Sequence, residues 1–240
     1  MPAKSTPAHT AFRRALLRWF RRHGRDLPWR RTRDPYRVLV SEFMLQQTQV
    51  SRVEAYYHRF LKCYPTIHAL ADAPAAAVRE SWDGLGYYRR AENLHRLAQA
   101  VVKERSGVIP REPEQLVELP GVGRYTAGAV ACFAYERGVA AVDTNVARVL
   151  RRAFHPRTDK QRLFWKTAAR LVPRRGGAAW AFNQAIMELG ALVCTAREPR
   201  CGACPVRTAC KTGRVRAAIP RAAPPGRETR KQRPRSASET

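Results

Sequence analysis

Between Leu119 and Asn145 the chain reads LPGVGRYTAGAVACFAYERGVAAVDTN, and this stretch restricts the fold more than any other. An amphipathic run from Pro113 to Leu119 meets a second helical run from Tyr125 to Tyr135 across Gly121-Val122-Gly123, so the spacing predicts a helix-hairpin-helix over residues 113–135. The two glycines permit the tight turn. A hairpin that opens onto a helix N-terminus points backbone N–H groups outward, where free donors and the helix dipole together favour a phosphate oxygen. Gly121, Val122, Gly123 and Arg124 are therefore candidates for contact with a DNA backbone, contact that positions the duplex without reading its sequence. The same residues would also serve as an ordinary turn between two packed helices, and only their surroundings separate the two readings.

Downstream, Asp143-Thr144-Asn145 precedes Val146, Val149, Leu150 and Ala153, an apolar stripe that places Asp143 at a helix N-cap. A carboxylate at a helix start that faces a cleft can instead stabilise a developing cation, a role that needs a second acid elsewhere. Glu42 is the candidate. Asp34-Pro35 supplies an N-cap and a first-turn proline for a predicted helix through YRVLVSEFMLQQTQV, on which Glu42 shares a face with Val38 and Leu45. Burial there would raise its pKa and keep it protonated near neutral pH, which is how a general acid is made. The alternative is a surface glutamate paired with one of the many arginines.

The 240 residues carry 45 Lys and Arg against 19 Asp and Glu, a net charge of +26. That excess is far beyond what solubility needs and calls for a polyanionic partner, nucleic acid being the natural one. No apolar run approaches the roughly 18 residues of a membrane span, and the N-terminus lacks the apolar core of a secretion signal. The expected location is therefore cytoplasmic and nucleoid-associated, and the expected state a monomer.

The rest of the chain is helical in pattern. Phe12, Ala15, Leu16, Trp19 and Phe20 form a stripe ended by Gly24, followed by an ordered loop at Arg25-Asp26-Leu27-Pro28-Trp29-Arg30. Short helical runs from Val53 to Trp82 lead to Gly84-Leu85-Gly86-Tyr87-Tyr88, where aromatics beside flexible backbone suit either base stacking or core packing. Further helices are expected from Ala91 to near Gly107, around Gln161 to Leu171, and from Ala178 to Val193. With no alternating strand pattern of useful length, the predicted class is all-α. Beyond Lys211 periodicity ceases, and residues 213–240 read as a disordered basic tail that adds nonspecific DNA affinity.

Of six cysteines, Cys63 and Cys132 lie alone in helical patterns and read as buried thiols, while Cys194, Cys201, Cys204 and Cys210 cluster within seventeen residues without a histidine. Four sulfurs imply zinc or iron–sulfur. Zinc sites usually pair their ligands as two CxxC knuckles, whereas here only one pair is close, so the spacing leans toward a cubane.

A C-x6-C-x2-C-x5-C set after a helix-hairpin-helix and an aspartate resembles the endonuclease III superfamily of DNA glycosylases. Within it, the chain is most similar to adenine DNA glycosylases through RDLPWR (25–30), SEFMLQQTQV (41–50), GLGYY (84–88), LPGVGRYTAGA (119–129), VDTNVARVL (142–150) and FNQAIMELGALVC (182–194). The resemblance implies a helix-hairpin-helix glycosylase fold with the active site in a cleft between two domains. One would be a six-helix barrel over 28–137. The other would be an iron–sulfur domain over 138–212, joined by the N-terminal helix (1–27) and holding a [4Fe–4S] cluster.

Residue by residue, the resemblance implies that Glu42 protonates the adenine ring and that Asp143 stabilises or captures the oxocarbenium at C1′, supported by Tyr125 and Asn145. Arg25, Leu27, Trp29 and Gln184 would line the pocket for the extruded base. Gln47 and Tyr87 would enter the space left in the duplex, while Arg197 and Arg200, on the loop between the first two cluster cysteines, would meet phosphates. The implied reaction is monofunctional removal of adenine opposite guanine or 8-oxoguanine in double-stranded DNA, as part of base excision repair.

Two departures bear on substrate choice. Thr144 stands where the family usually has glycine, and most adenine glycosylases continue into a further domain that recognises 8-oxoguanine, whereas this chain stops at Thr240. The rival readings are a thymine or uracil mismatch glycosylase on the same scaffold and a noncatalytic DNA-binding module.

Overall fold

The computed structural model describes residues 6–174 and 176–218, and every regular element among them is a helix. Helix α1 (Pro7–His23) buries Phe12 and Leu16 and ends at Gly24, and Pro28–Arg30 follows as a single 3-10 turn. Helix α2 (Pro35–Leu45) begins as the sequence predicts, with an Asp34 carboxylate oxygen accepting from the N–H groups of Tyr36 and Arg37 at 2.8 and 3.2 Å. All seven residues from Val38 to Met44 are buried, so this helix can only be central. Around it pack α3 (Val50–Cys63), α6 (Arg89–Arg105) and α8 (Arg124–Phe133). The short helices α4 (Ile67–Ala71) and α5 (Ala75–Glu80) lie on α6, and α7 (Pro113–Leu116) lies on α8.

The remaining helices form a second group. In it α9 (Thr144–Phe154) packs on α10 (Gln161–Leu171), α11 (Gly176–Leu192) and α12 (Lys211–Ala218). Helix α1 folds back onto α11 and α10, so the start of the chain packs with its later helices, and α11 also touches α8.

Three expectations are corrected. The helix predicted through Val50 breaks after Leu45: Gln46 is extended and Gln47 adopts φ 56°. The reason lies 44 residues away, because Arg90 takes the carbonyls of Phe43, Met44 and Gln46 at 3.0, 2.6 and 2.5 Å and so closes the C-terminus of α2. Cys63 is exposed rather than buried, since it ends α3 on the solvent side; Cys132 is buried. Residues 213–218, expected to open the disordered tail, belong to α12, which packs against α9. The remainder of that tail, residues 219–240, lies outside the described residues.

The hairpin turn needs its first glycine on two counts. Gly121 has φ +74°, and a Cβ there would stand 2.7 Å from the Asn93 Cβ and 3.0 Å from the Phe43 ring. The hairpin is thereby seated against α6 and α2, with Gly123 and Arg124 exposed at the start of α8.

Candidate active site

A cleft of about 850 Å³ has walls from α2 and the loop after it, the 25–30 segment, α8, the start of α9 and one side of α11. Glu42 stands in it, 4% exposed, on the helix whose apolar face the sequence had marked. Burial pushes its carboxyl up to about 7; the Tyr125 hydroxyl, donating to Oε2 at 2.7 Å, opposes this, the Asp143 charge adds to it and Arg30 opposes it. Burial likewise raises the Tyr125 phenol well above its ordinary value, with the Glu42 charge next in importance.

Asp143 lines the same cleft and also caps α9. One carboxylate oxygen accepts from the Val146 N–H at 2.6 Å and the other from the Asn145 amide at 3.0 Å. Burial raises its pKa, while these donors and the nearby Arg148 hold the rise back. The N-cap and cleft-facing readings of Asp143 are thus both correct. The approach to it is clamped by buried Asn183, whose amide accepts from the Ala141 N–H at 3.1 Å and donates to the Val139 carbonyl at 2.9 Å. Thr144 follows Asp143 with an exposed side chain at the cleft wall.

Arg25, Leu27, Trp29 and Gln184 all line the cleft as expected, and two residues that the sequence reading missed join them. The Glu188 carboxylate receives Arg25 Nε at 2.7 Å and an Arg30 nitrogen at 2.8 Å, and Arg30 Nε donates to Gln184 at 2.7 Å. Burial works to raise the Glu188 pKa, but the two guanidinium partners outweigh it and bring it to about 2. It is therefore a buried anion at any physiological pH. A signal for it was present: Glu188 interrupts an apolar α11 just as Glu42 interrupts α2.

The proposed DNA-facing residues fall into separate places. Gln47 and Tyr87 are both exposed and both left-handed, with φ 56° and 51°. Val122 turns inward: its side chain is buried and its N–H is taken by the Leu119 carbonyl at 3.1 Å, leaving the outer face of the hairpin to Gly121, Gly123 and Arg124. The Arg124 guanidinium lies 3.9 Å over the Trp165 ring. Arg197 and Arg200 are exposed on the 194–201 loop.

Cys194, Cys201, Cys204 and Cys210 line one cavity beside α9 and α12. An Arg152 nitrogen donates to the Cys194 sulfur at 3.4 Å and the Gly213 N–H to the Cys210 sulfur at 3.2 Å, donors that favour thiolates. Burial pushes the Cys204 thiol up to about 11 and also raises that of Cys210, with neighbouring cysteines adding to both. Four sulfurs without carboxylate or imidazole are the donor chemistry of an iron–sulfur cluster or of zinc, and among the described residues no three such side chains are close enough to hold a single metal ion.

The family model described as "HhH-GPD superfamily base excision DNA repair protein" matches residues 40–174. A curated adenine DNA glycosylase of Mycolicibacterium smegmatis is 50% identical over 195 residues, 80% of this chain and 66% of that protein. One from Mycobacterium tuberculosis is 46% identical over 216 residues, 85% of this chain and 68% of that protein. The chain thus spans about two thirds of the length of these relatives. Among solved structures, a thermostable thymine-DNA glycosylase superposes with TM-score 0.81 at 32% identity, covering 87% of this chain and 97% of that one.

Proposed function

Because the chain belongs to the HhH-GPD superfamily of base excision DNA repair proteins, and within it to the adenine DNA glycosylases, we propose that it hydrolyses the bond joining adenine to deoxyribose where adenine stands opposite guanine or 8-oxoguanine. The observation that carries this reading is a buried carboxyl at about 7, Glu42, sharing a cleft with a second carboxylate, Asp143, whose partners favour its charge. A base inside a duplex cannot reach such a cleft. It must be extruded at a cost of a few kcal/mol, and a mispair lowers that cost. Gln47 and Tyr87 then enter the space it leaves, while the hairpin at Gly121, Gly123 and Arg124, with Arg197 and Arg200, holds phosphates.

Glu42 gives its proton to the adenine ring as the C1′–N bond breaks and its electron pair leaves with the base. Asp143 faces the oxocarbenium that forms at C1′. Water adds hydroxide to that carbon and its remaining proton passes to a carboxylate, the same division of labour between two acids that glycosidases use. Arg25, Leu27, Trp29 and Gln184 enclose the base. Glu188, whose two oxygens are taken up by four donors from Arg25 and Arg30, fixes those two residues at the wall of the same pocket.

Among the described residues lining the cleft there is no lysine. Tyr125, whose hydroxyl is occupied by Glu42, is the residue facing the sugar position, so the strand stays intact after base release. The test is a panel of duplexes with A, T or U opposite G, C or 8-oxoguanine. Adenine release opposite both guanine and 8-oxoguanine is expected, with strand cutting only after alkali and no covalent complex trapped by borohydride. Faster release of thymine than of adenine opposite guanine would place the chain with the mismatch glycosylases, and no release of any base would leave a binding module.

Cys194, Cys201, Cys204 and Cys210 are proposed as the ligands of a [4Fe–4S] cluster, which when bound ties the 194–210 segment into one rigid loop. Anaerobically purified protein is expected to be brown and to carry about four irons per chain. Stoichiometric zinc with no iron would overturn this assignment.

A further inference from the structure

Arg90 has no part in the chemistry above, yet it is one of the few buried charged side chains, only 7% exposed. Its partners are all backbone carbonyls. One terminal nitrogen donates to Phe43, Met44 and Gln46 at 3.0, 2.6 and 2.5 Å, the other to Gly86 at 2.9 Å and Leu85 at 3.4 Å, and Nε reaches Tyr87 at 3.4 Å. No carboxylate among the described residues pairs with it. The guanidinium instead lies against the Trp82 and Tyr87 rings, 5.5 and 5.6 Å from their centroids.

The two sets of carbonyls belong to the two loops that matter most at the DNA face. The first set closes α2 and ends one residue before Gln47. The second leads up to and includes Tyr87. Both Gln47 and Tyr87 hold left-handed φ values that a side chain adopts only when the surrounding structure imposes them. Between the loops lies a cleft of about 360 Å³, lined by Gln46, Gln47, Tyr87 and Arg90 among others.

We propose that Arg90 is a positioning residue that clamps the 46–49 and 84–88 loops into one unit, so that Gln47 and Tyr87 enter the duplex together. A planar fork with five donors can span two loops. An ammonium on a single stem cannot. The charge is balanced by carbonyl dipoles from both loops at once, including the negative end of α2, so either loop alone leaves it under-solvated in the interior. The two wedging residues therefore form or melt as a pair.

This inference rests on the reading in which Gln47 and Tyr87 enter the duplex, and the test separates the two. The full chain and its Arg90→Lys and Arg90→Met variants are compared on a duplex carrying a tetrahydrofuran abasic analogue opposite guanine and on a fully paired duplex. Arg90→Lys is expected to weaken binding to the analogue duplex about tenfold or more while changing fully paired binding less than about twofold. Hydrogen exchange should accelerate in residues 46–49 and 84–88 together, with the rest of α2 and α6 unchanged. In a background already carrying Gln47→Ala and Tyr87→Ala, adding Arg90→Lys should cost less than about twofold further, because the residues it acts through are gone.

Equal loss on both duplexes, faster exchange in one loop only, or a fully additive loss in the double background would each reduce Arg90 to a general stabiliser and overturn the proposal. If Gln47→Ala and Tyr87→Ala weaken the analogue complex but Arg90→Lys does not, the clamp fails and the wedge reading stands. If the first two have no effect, both fall.

Discussion

Glu42→Gln is expected to slow adenine release in single turnover at least about 100-fold while leaving duplex binding intact, because the amide keeps the size and the Tyr125 contact but has no acidic proton to transfer. The pH dependence follows from the same burial. With the folded carboxyl near 7, parent activity should fall as pH rises through about 7, where the acid form is lost, and should also fall at low pH, where Asp143, its pKa raised by burial, loses its charge. Tyr125→Phe removes a donor that favours the carboxylate, and should move this alkaline limb upward. Stability changes with the same sign. The folded pKa stands above the ordinary 4.5, so the contribution of Glu42 is fully present below about pH 4.5 and lost as pH rises through about 7. The span is on the order of 3 kcal/mol. Glu42→Gln, having no such group, should therefore gain on the parent by about that amount between pH 4.5 and 8 in chemical denaturation, becoming the more stable and the less active enzyme. A variant with parental single-turnover rates would remove Glu42 from the mechanism.

Asp143→Asn should cost at least about 100-fold in the same step, since the charge facing the oxocarbenium disappears while shape is kept. What separates this from simple misfolding is the second role of Asp143. Asparagine caps helices about as well as aspartate, so the bond from the Val146 N–H survives in kind, only the bond from the Asn145 amide to the second oxygen is lost, and the melting temperature should fall by no more than a few degrees. Asp143→Ala loses both functions and should be destabilised by about 1 kcal/mol as well as inactive. A rate loss in Asp143→Asn matched by a comparable loss of stability would return this residue to a purely structural cap.

Much of this was legible in the chain before its coordinates. The helix starts at Asp34 and Asp143 were visible because a cap is a local device, written within four residues. Glu42 was visible because a carboxylate on an apolar helical face contradicts its surroundings, and Glu188 would have been found by the same test. The hairpin was visible in its glycines, although which of its groups face outward was not: Val122 had to be seen buried before Gly121, Gly123 and Arg124 could be separated from it. The break after Leu45 was misread for a different reason. Nothing between Tyr36 and Val50 forbids a continuous helix, and the side chain that ends it comes from α6.

By itself, then, the sequence determined what depends on neighbours within a few turns: the helical class, the caps, the cysteine spacing, the basic charge and the anomalous carboxylate Glu42. The tertiary structure alone decided what depends on residues far apart in the chain meeting in space. It brought Glu42, Tyr125 and Asp143 to one cleft, shifted the Glu42 carboxyl to about 7 by burial, and held Glu188 ionised between Arg25 and Arg30. The physical reason is that a pKa and a wedge are properties of an environment. Periodicity can say that Glu42 will be buried, but only the packed helices fix which charges and donors surround it there.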